Sequence, residues 1–356
     1  VVEDGPQGLA QVIGLPAFRL GAVGELEPEA SEQPVFETLT SGSMGKPRRI
    51  RRAQASWTAS FAVNASFGIG PGARVAVLGR LVHSLSLYGA VEGLHLGAEV
   101  HLLDSLRPDR QRKALAERRI SHLYATPAQL RLLLDGDGDC PELRLVLVGG
   151  AKLDAALRIG VAKMAPIAEI REFYGAAEAS FITIADEVTP EGSVGRPYPG
   201  VEISVDPTGE VWVRSPYLFL GYAGDIGSAR WRDGWLSVGE VGRLEGEFLY
   251  LMGRAGRMVT VADQNVFPEE IEALIQSMPG ISRVAVLPVQ DAMRGAVLLA
   301  MVQGDRAVEA VVLAALRAEL GPLKAPRALI WQEDWPVLPS GKTDLKALEA
   351  QARWPV

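Results

Sequence analysis

Between residues 74 and 150 the chain repeats one pattern that narrows its possible folds sharply. Short, nearly unbroken apolar runs, "RVAVLG" (74–79), "AEVHLL" (98–103), "HLYAT" (122–126) and "LRLVLVGG" (143–150), alternate with longer helical stretches such as 108–119 and 127–134. A strand that is apolar on both faces must be covered on both sides. Strands separated by helices can be laid side by side only through crossovers, so the expected product is a mostly parallel sheet covered by helices. We assign this α/β part to 37–190. From 193 to 252 the texture changes to alternating strands, "GVEISV", "GEVWVRS" and "GEFLYLMG", divided by Gly, Asp and Pro, which predicts a small antiparallel β unit over 191–254. A third texture follows. It has a helix over 268–278, strands over 282–289 and 296–303, and an amphipathic helix over 306–320 with Val308, Val311, Val312 and Leu316 on one stripe. The expected fold is therefore α/β, with a large N-terminal region (1–254) and a small α+β C-terminal domain (255–356). Residues 1–36, rich in proline and acids, read as a leading segment rather than a domain.

Composition excludes some functions. A formal net charge of -7 argues against nucleic-acid binding, which draws on a basic surplus. No apolar run approaches the roughly 18 residues of a membrane span, and no signal-peptide pattern opens the chain. The single Cys140 excludes an internal disulfide, fits a reducing compartment, and lies in "DGDGDCPEL", a loop by composition. His83, His95, His101 and His122 lack metal-ligand spacing. A cytoplasmic enzyme is the expectation.

The chemistry begins at "TSGSMGKPRR" (40–49). Small residues leave backbone amides open to an anion, Ser41 and Ser43 can donate to phosphate oxygens, and Lys46 and Arg48 bring charge. A flexible Gly/Ser turn would have the same composition. The loop is not a Walker P-loop, since GxxxxGK[ST] is absent, and "PVLPSGKTD" (336–344) fails the same test because Pro336 stands where the first glycine is required. In "RRIRR" (48–52) Arg49 and Arg51 alternate with Ile50 and Arg52, which reads as a strand's exposed face rather than a CoA phosphate site. Other candidates lie in "FYGAAEAS" (173–180), "GSVGRPYPG" (192–200), "DGWLSVGEVG" (233–242), "MGRAGR" (252–257) and "VFPEEIE" (266–272).

In this order and at these distances the segments resemble the adenylate-forming superfamily of acyl-CoA synthetases, amino-acid adenylation domains and luciferases, over roughly 37–350. The resemblance implies a mobile C-terminal domain and an ATP-dependent activation of a carboxylic acid to an acyl-adenylate, with Mg²⁺ as cofactor and CoA as the thiol acceptor. It places Thr40, Ser41, Gly42, Ser43, Gly45 and Lys46 on the ATP phosphates. Gly149, Gly150 and Ala151 become the backbone ledge between adenine and the acid. Tyr174, followed by Gly175, would stack on adenine, Glu178 would approach Mg²⁺, and Glu240 with Arg254 would take the ribose hydroxyls. Lys342 matches the lysine delivered by the C-terminal domain to the reacting carboxylate. His83 in "RLVHSLSLYG" matches the gate beside the acyl pocket, with a satisfied core histidine as the alternative.

Several positions depart from the family pattern. Met44 stands where Thr is usual, Arg48 replaces a lysine, Ala177 replaces the Thr before the motif glutamate, Glu240 replaces Asp, and the hinge reads Gly256-Arg257. Family members also have a longer region ahead of the phosphate loop, so a compact natural form and a fragment are both open. "DQNVFPEEIE" (263–272) looks like acyl-CoA synthetases, yet Ala262-Asp263 stand where CoA ligases favour glycines. An enzyme that loads a carrier protein, or a degenerate nucleotide- or acyl-binding module, are the alternatives. The small-molecule acid is not specified by the sequence, and neither is the oligomeric state.

Overall fold

The computed structural model describes residues 1–21, 28, 31–39, 48–224, 229–261, 264–291, 295–338 and 342–352. The leading residues are more structured than their composition suggests. Val2–Glu3 (β1), Ala17–Gly21 (β2), Val35–Leu39 (β3) and Arg49–Ala53 (β4) form a mixed sheet whose fifth strand is the distant pair Gly221–Tyr222. The first 36 residues thus supply strands that only long-range pairing can stabilise, and local periodicity does not reveal such pairing.

The central sheet has seven strands. Arg74–Val77 (β5), Glu99–Leu102 (β6), His122–Ala125 (β7), Leu145–Gly149 (β8) and Glu169–Ala176 (β9) run parallel, in the spatial order β6-β5-β7-β8-β9. Ser180–Ala185 (β10) and Arg196–Pro197 extend it antiparallel beyond β9. The expected parallel sheet is present with strand boundaries close to those read from the apolar runs. Helices Pro108–Glu117, Pro127–Leu134 and Ala155–Met164 cover one face, where Leu115, Leu130, Leu133 and Val161 are buried. Trp57, Phe61, Leu87 and Tyr88 fill the other face beneath the first sheet. Cys140 lies in a loop, as its neighbours suggest, but its side chain is buried against the helical layer, and that burial pushes its thiol up to about 11.

Because β5 and β6 lead one way and β7 to β9 the other, the chain reverses direction across the sheet between β5 and β7. The carboxyl ends of parallel strands beside such a switch point form the crevice where α/β proteins bind ligands. His83 follows β5, Gly149 ends β8, and Glu178 follows β9, so three sequence-selected segments share this edge. A bridge between Leu39 and His83 brings the end of β3 there too.

The antiparallel unit is as expected, built from Glu202–Val205, Glu210–Arg214, Trp231–Arg232, Trp235–Glu245 and Phe248–Arg254. The C-terminal module has a hairpin (Val259–Val261 with Gln264–Val266), the helix Pro268–Gln276, a three-stranded sheet of Ile281–Asp291, Gly295–Gly304 and Leu329–Trp331, and the helix Glu309–Lys324. On that helix Val312 and Leu316 enter the core, but Val311 is 72% exposed. The apolar stripe is therefore narrower than the sequence suggested, because Val311 lies at its edge and the three-stranded sheet offers no surface to cover it.

Candidate active site

The segment carrying Glu178 is a tight hairpin. Ala176 pairs with Ser180, Ala179 N–H donates to the Ala176 carbonyl at 3.0 Å, and Ser180 takes a left-handed φ of 61°. A non-glycine residue in that conformation costs roughly 1–2 kcal/mol, so the tip is held by its surroundings rather than by local preference. Gly175 is obligatory for the close approach of the two strands, since a Cβ there would lie 2.2 Å from the Ser180 carbonyl oxygen.

The carboxylate is gripped from the far sheet. Tyr222 donates its hydroxyl to Glu178 Oε1 at 2.6 Å, and Arg48 approaches the same oxygen at 3.9 Å while its guanidinium lies 4.1 Å above the Tyr222 ring. Phe219 N–H also donates to the Glu178 carbonyl at 2.8 Å. Tyr222 was not among the sequence candidates, because its contact depends on the pairing of Gly221–Tyr222 with β4.

Glu240 and Arg254 face each other across neighbouring strands, with Arg254 Nε donating to Glu240 Oε1 at 3.2 Å. Burial pushes the Glu240 carboxyl above its usual range, Arg254 and Lys342 oppose that rise, and Glu269 adds to it. Tyr174 lies on β9 with its hydroxyl buried and unpartnered among the described residues. Burial raises its pKa well above the ordinary tyrosine value, and the charges of Glu240, Arg254 and Glu178 also act on it. An orphaned hydroxyl beside these groups suits a ligand that supplies the missing partner.

Lys342 reaches this cluster from the other module. An antiparallel bridge joins Val337 to Thr343, Leu338 N–H donates to the Lys342 carbonyl at 2.8 Å, and the buried Trp335 donates Nε1–H to Thr343 at 3.0 Å. Asp344 then caps the following helix by accepting from Ala347 N–H. Desolvation and Arg254 push the Lys342 ammonium below its usual range, and Glu178 and Glu240 pull it back up. The residue is exposed to water, so this shift carries little stability cost. His83 is lowered by burial first, then by Arg80 and Lys342, against a raising effect from Asp4. One electrostatic neighbourhood therefore links Lys342, Glu178, Glu240, Arg254, Tyr174 and His83.

Gly149 sits under Phe173, whose ring a Cβ would meet at 2.2 Å, and Gly150 has a φ of 93°. Ala151 is exposed at the same edge. Thr40, Ser41, Gly42, Ser43, Gly45 and Lys46 lie outside the described residues, as do Met44 and Ala262-Asp263. At Gly256-Arg257, where the resemblance implies a hinge, Arg257 bonds Glu272 at 2.7 Å and the Val286 carbonyl at 3.0 Å, so it is fastened to the C-terminal module. In "RRIRR" the expected alternation is present: Arg49–Ala53 is a strand, Arg49 and Arg51 lie on its more open face, and Ile50 and Arg52 share the buried one, where Arg52 is 1% exposed.

Residues 7–223 match the AMP-binding enzyme family, and residues 270–342 match the AMP-binding enzyme C-terminal domain. The chain belongs to the AMP-binding enzyme family. It is 32% identical to an uncharacterized acyl-CoA ligase, YhfT, of Bacillus subtilis, over 87% of this chain and 67% of that protein. Among solved structures it resembles the amide bond synthetase McbA of Marinactinospora thermotolerans, with a TM-score of 0.78, 27% identity, and coverage of 89% of this chain and 69% of that one. It shares the fold of the o-succinylbenzoate coenzyme A synthetase of Bacillus subtilis in complex with ATP and magnesium ion, at a TM-score of 0.78 and 22% identity, covering 93% and 73%. The chain spans about two thirds to three quarters of the length of these relatives. Among the described residues no helix is long and apolar enough to cross a membrane.

Proposed function

We propose that this enzyme activates a small-molecule carboxylic acid with ATP, forming an acyl-adenylate and pyrophosphate, and then transfers the acyl group to the thiol of CoA. The observation that supports this reading is the Arg254–Glu240 ion pair of the N-terminal region, with Lys342 of the C-terminal module near enough to feel the charges of Glu178, Glu240 and Arg254.

A carboxylate oxygen attacks the α-phosphorus, the bond from that phosphorus to the bridging oxygen of the β-phosphate breaks, and pyrophosphate leaves. Two anions must meet, so catalysis rests on fixed positive charge. Lys342 offers its ammonium at the meeting point. Glu240, held by Arg254, accepts the ribose hydroxyls, and the ring of Tyr174 stacks on adenine. Gly149 and Gly150 keep the wall between adenine and acid free of side chains. His83 borders the acid side.

The described residues contain no group of three or more metal-binding side chains, only the single carboxylate of Glu178 at this place. That donor set fits Mg²⁺, which commonly takes one or two carboxylates and fills its octahedron with phosphate oxygens and water. When bound, Mg²⁺ neutralises charge on the phosphates.

In the second half-reaction the thiolate attacks the acyl carbon, the acyl–phosphate C–O bond breaks and AMP leaves. No side-chain nucleophile is needed. Similarity to an amide bond synthetase favours testing an amine as the alternative acceptor, beside a phosphopantetheinyl carrier protein. The test is to incubate the enzyme with ATP, Mg²⁺, hydroxylamine and a panel of apolar, aromatic and dicarboxylic acids, and then to replace hydroxylamine by CoA, an amine or a carrier. At least one acid is expected to yield its hydroxamate and an acyl-CoA. Acid-independent ATP turnover, or none with any acid, would contradict the proposal.

A further inference from the structure

Arg52 is placed at great cost. It lies on β4 with 1% of its side chain exposed, and among the described residues no carboxylate comes within ion-pairing distance. Burying a charge without an opposite partner costs several kcal/mol, and an apolar side chain would fill the same space without that penalty. Burial lowers its pKa to about 10, opposed by attraction to Glu178 and to Tyr88.

Its two terminal nitrogens reach structure around Glu178. One terminal nitrogen donates to the Ala177 carbonyl at 2.6 Å. The other donates to the Tyr217 carbonyl, with Ser56 Oγ at 3.4 Å as its remaining partner. Ala177 precedes Glu178 on the strained hairpin. Tyr217 begins the segment whose Phe219 N–H holds the Glu178 carbonyl and whose Tyr222 hydroxyl holds the Glu178 carboxylate. Arg52 therefore ties together the two segments that fix the backbone and the side chain of Glu178. It follows Ile50 and Arg51 on the strand, the positions that pair with Tyr222 and Gly221.

We infer that Arg52 is a positioning residue for the metal–nucleotide site, orienting Glu178 through the Ala177 and Tyr217 carbonyls. The inference rests on the proposed function, because it assigns Glu178 to the metal. Ala177 is informative here: the side-chain hydroxyl expected just before the glutamate is missing, while its backbone carbonyl is held by a buried cation.

The test is to titrate Mn²⁺ onto the protein in the presence of α,β-methylene-ATP, following free Mn²⁺ by electron paramagnetic resonance. AMP binding without metal and urea unfolding are measured alongside. In R52M, Mn²⁺ affinity is expected to fall by about tenfold or more, the usual effect of losing a partner that orients a metal ligand. AMP affinity should stay within about twofold, because adenine and ribose are held elsewhere. R52K keeps the cation but cannot span both carbonyls, so it should lose less, and it covers the case in which R52M fails to fold. Y222F, which leaves the core intact, should also weaken Mn²⁺. Folded R52M or R52K with Mn²⁺ affinity equal to wild type would overturn the inference alone. Failure of the wild type to bind Mn²⁺ with the nucleotide would overturn it together with the metal assignment of Glu178.

Discussion

Replacing Gly175 by Ala tests whether the hairpin that carries Glu178 is fixed by backbone contact. The added methyl carbon would stand 2.2 Å from the Ser180 carbonyl oxygen, whereas ordinary contact begins near 3.4 Å. The obstacle is backbone, which cannot rotate away as a side-chain tip can. The strands must separate by about 1 Å, and a displacement of that size at reacting groups can cost about 100-fold in rate. Overpacking of this kind also destabilises by about 1–3 kcal/mol. Since Ser180 is already left-handed, the hairpin has little freedom to absorb the shift elsewhere. Adenylation would be followed by acid-dependent pyrophosphate release across a Mg²⁺ titration, and stability by urea unfolding. The expected result is a folded, less stable protein whose half-saturating Mg²⁺ rises and whose maximal rate falls by one to two orders of magnitude. A G175A protein with wild-type stability and wild-type Mg²⁺ dependence would refute the claim that this contact sets the geometry of Glu178.

Other outcomes follow from the same structure. Glu92 is fully buried, bonded to Tyr124 and to Asn64 at 2.8 Å, and its carboxyl is raised from 4.5 to about 7, chiefly by burial. Between those values the folded state holds a proton that the unfolded chain releases, so this group's stability is complete below about 4.5 and is lost as pH rises through about 7. The loss amounts to roughly 3 kcal/mol, and E92Q should remove that slope from the difference in urea-unfolding curves between the two proteins. A difference that is flat with pH would show that Glu92 does not titrate as described. Glu240→Ala should raise the KM for ATP by about 10- to 100-fold, the value of a hydrogen bond to a charged group, with the KM for the acid unchanged. An equal rise in both would move Glu240 out of the ribose site.

The sequence was most legible where neighbouring residues decide the structure. The apolar runs of β5, β7 and β8 identified the parallel sheet because burial on both faces leaves a local signature. Lys342, Glu178, Glu240 and Arg254 are legible as members of ordered motifs, and of these the fold pairs Arg254 with Glu240 directly. What escaped depends on distant pairing. Tyr222 meets Glu178 only because Gly221–Tyr222 closes the sheet beside β4. The leading strands β1 and β2 have the same origin. Strand alternation in "RRIRR" sets Arg52 on the face of Ile50, but nothing local shows that this face is fully buried. The loop holding Cys140 was legible from its polar neighbours, but the burial of the thiol was not, because it depends on the packed layer beneath.

Lys342 and its charge are central to the proposed adenylation. Acid-dependent exchange of labelled pyrophosphate into ATP should be measured for wild type and for Lys342→Ala, with AMP binding as the check that the nucleotide site is intact. Loss of a fixed charge at a developing anion typically costs about 100- to 1,000-fold, so exchange should fall by that factor while AMP binds normally. Exchange at the wild-type rate in the variant would contradict the claim that the C-terminal module completes the active site.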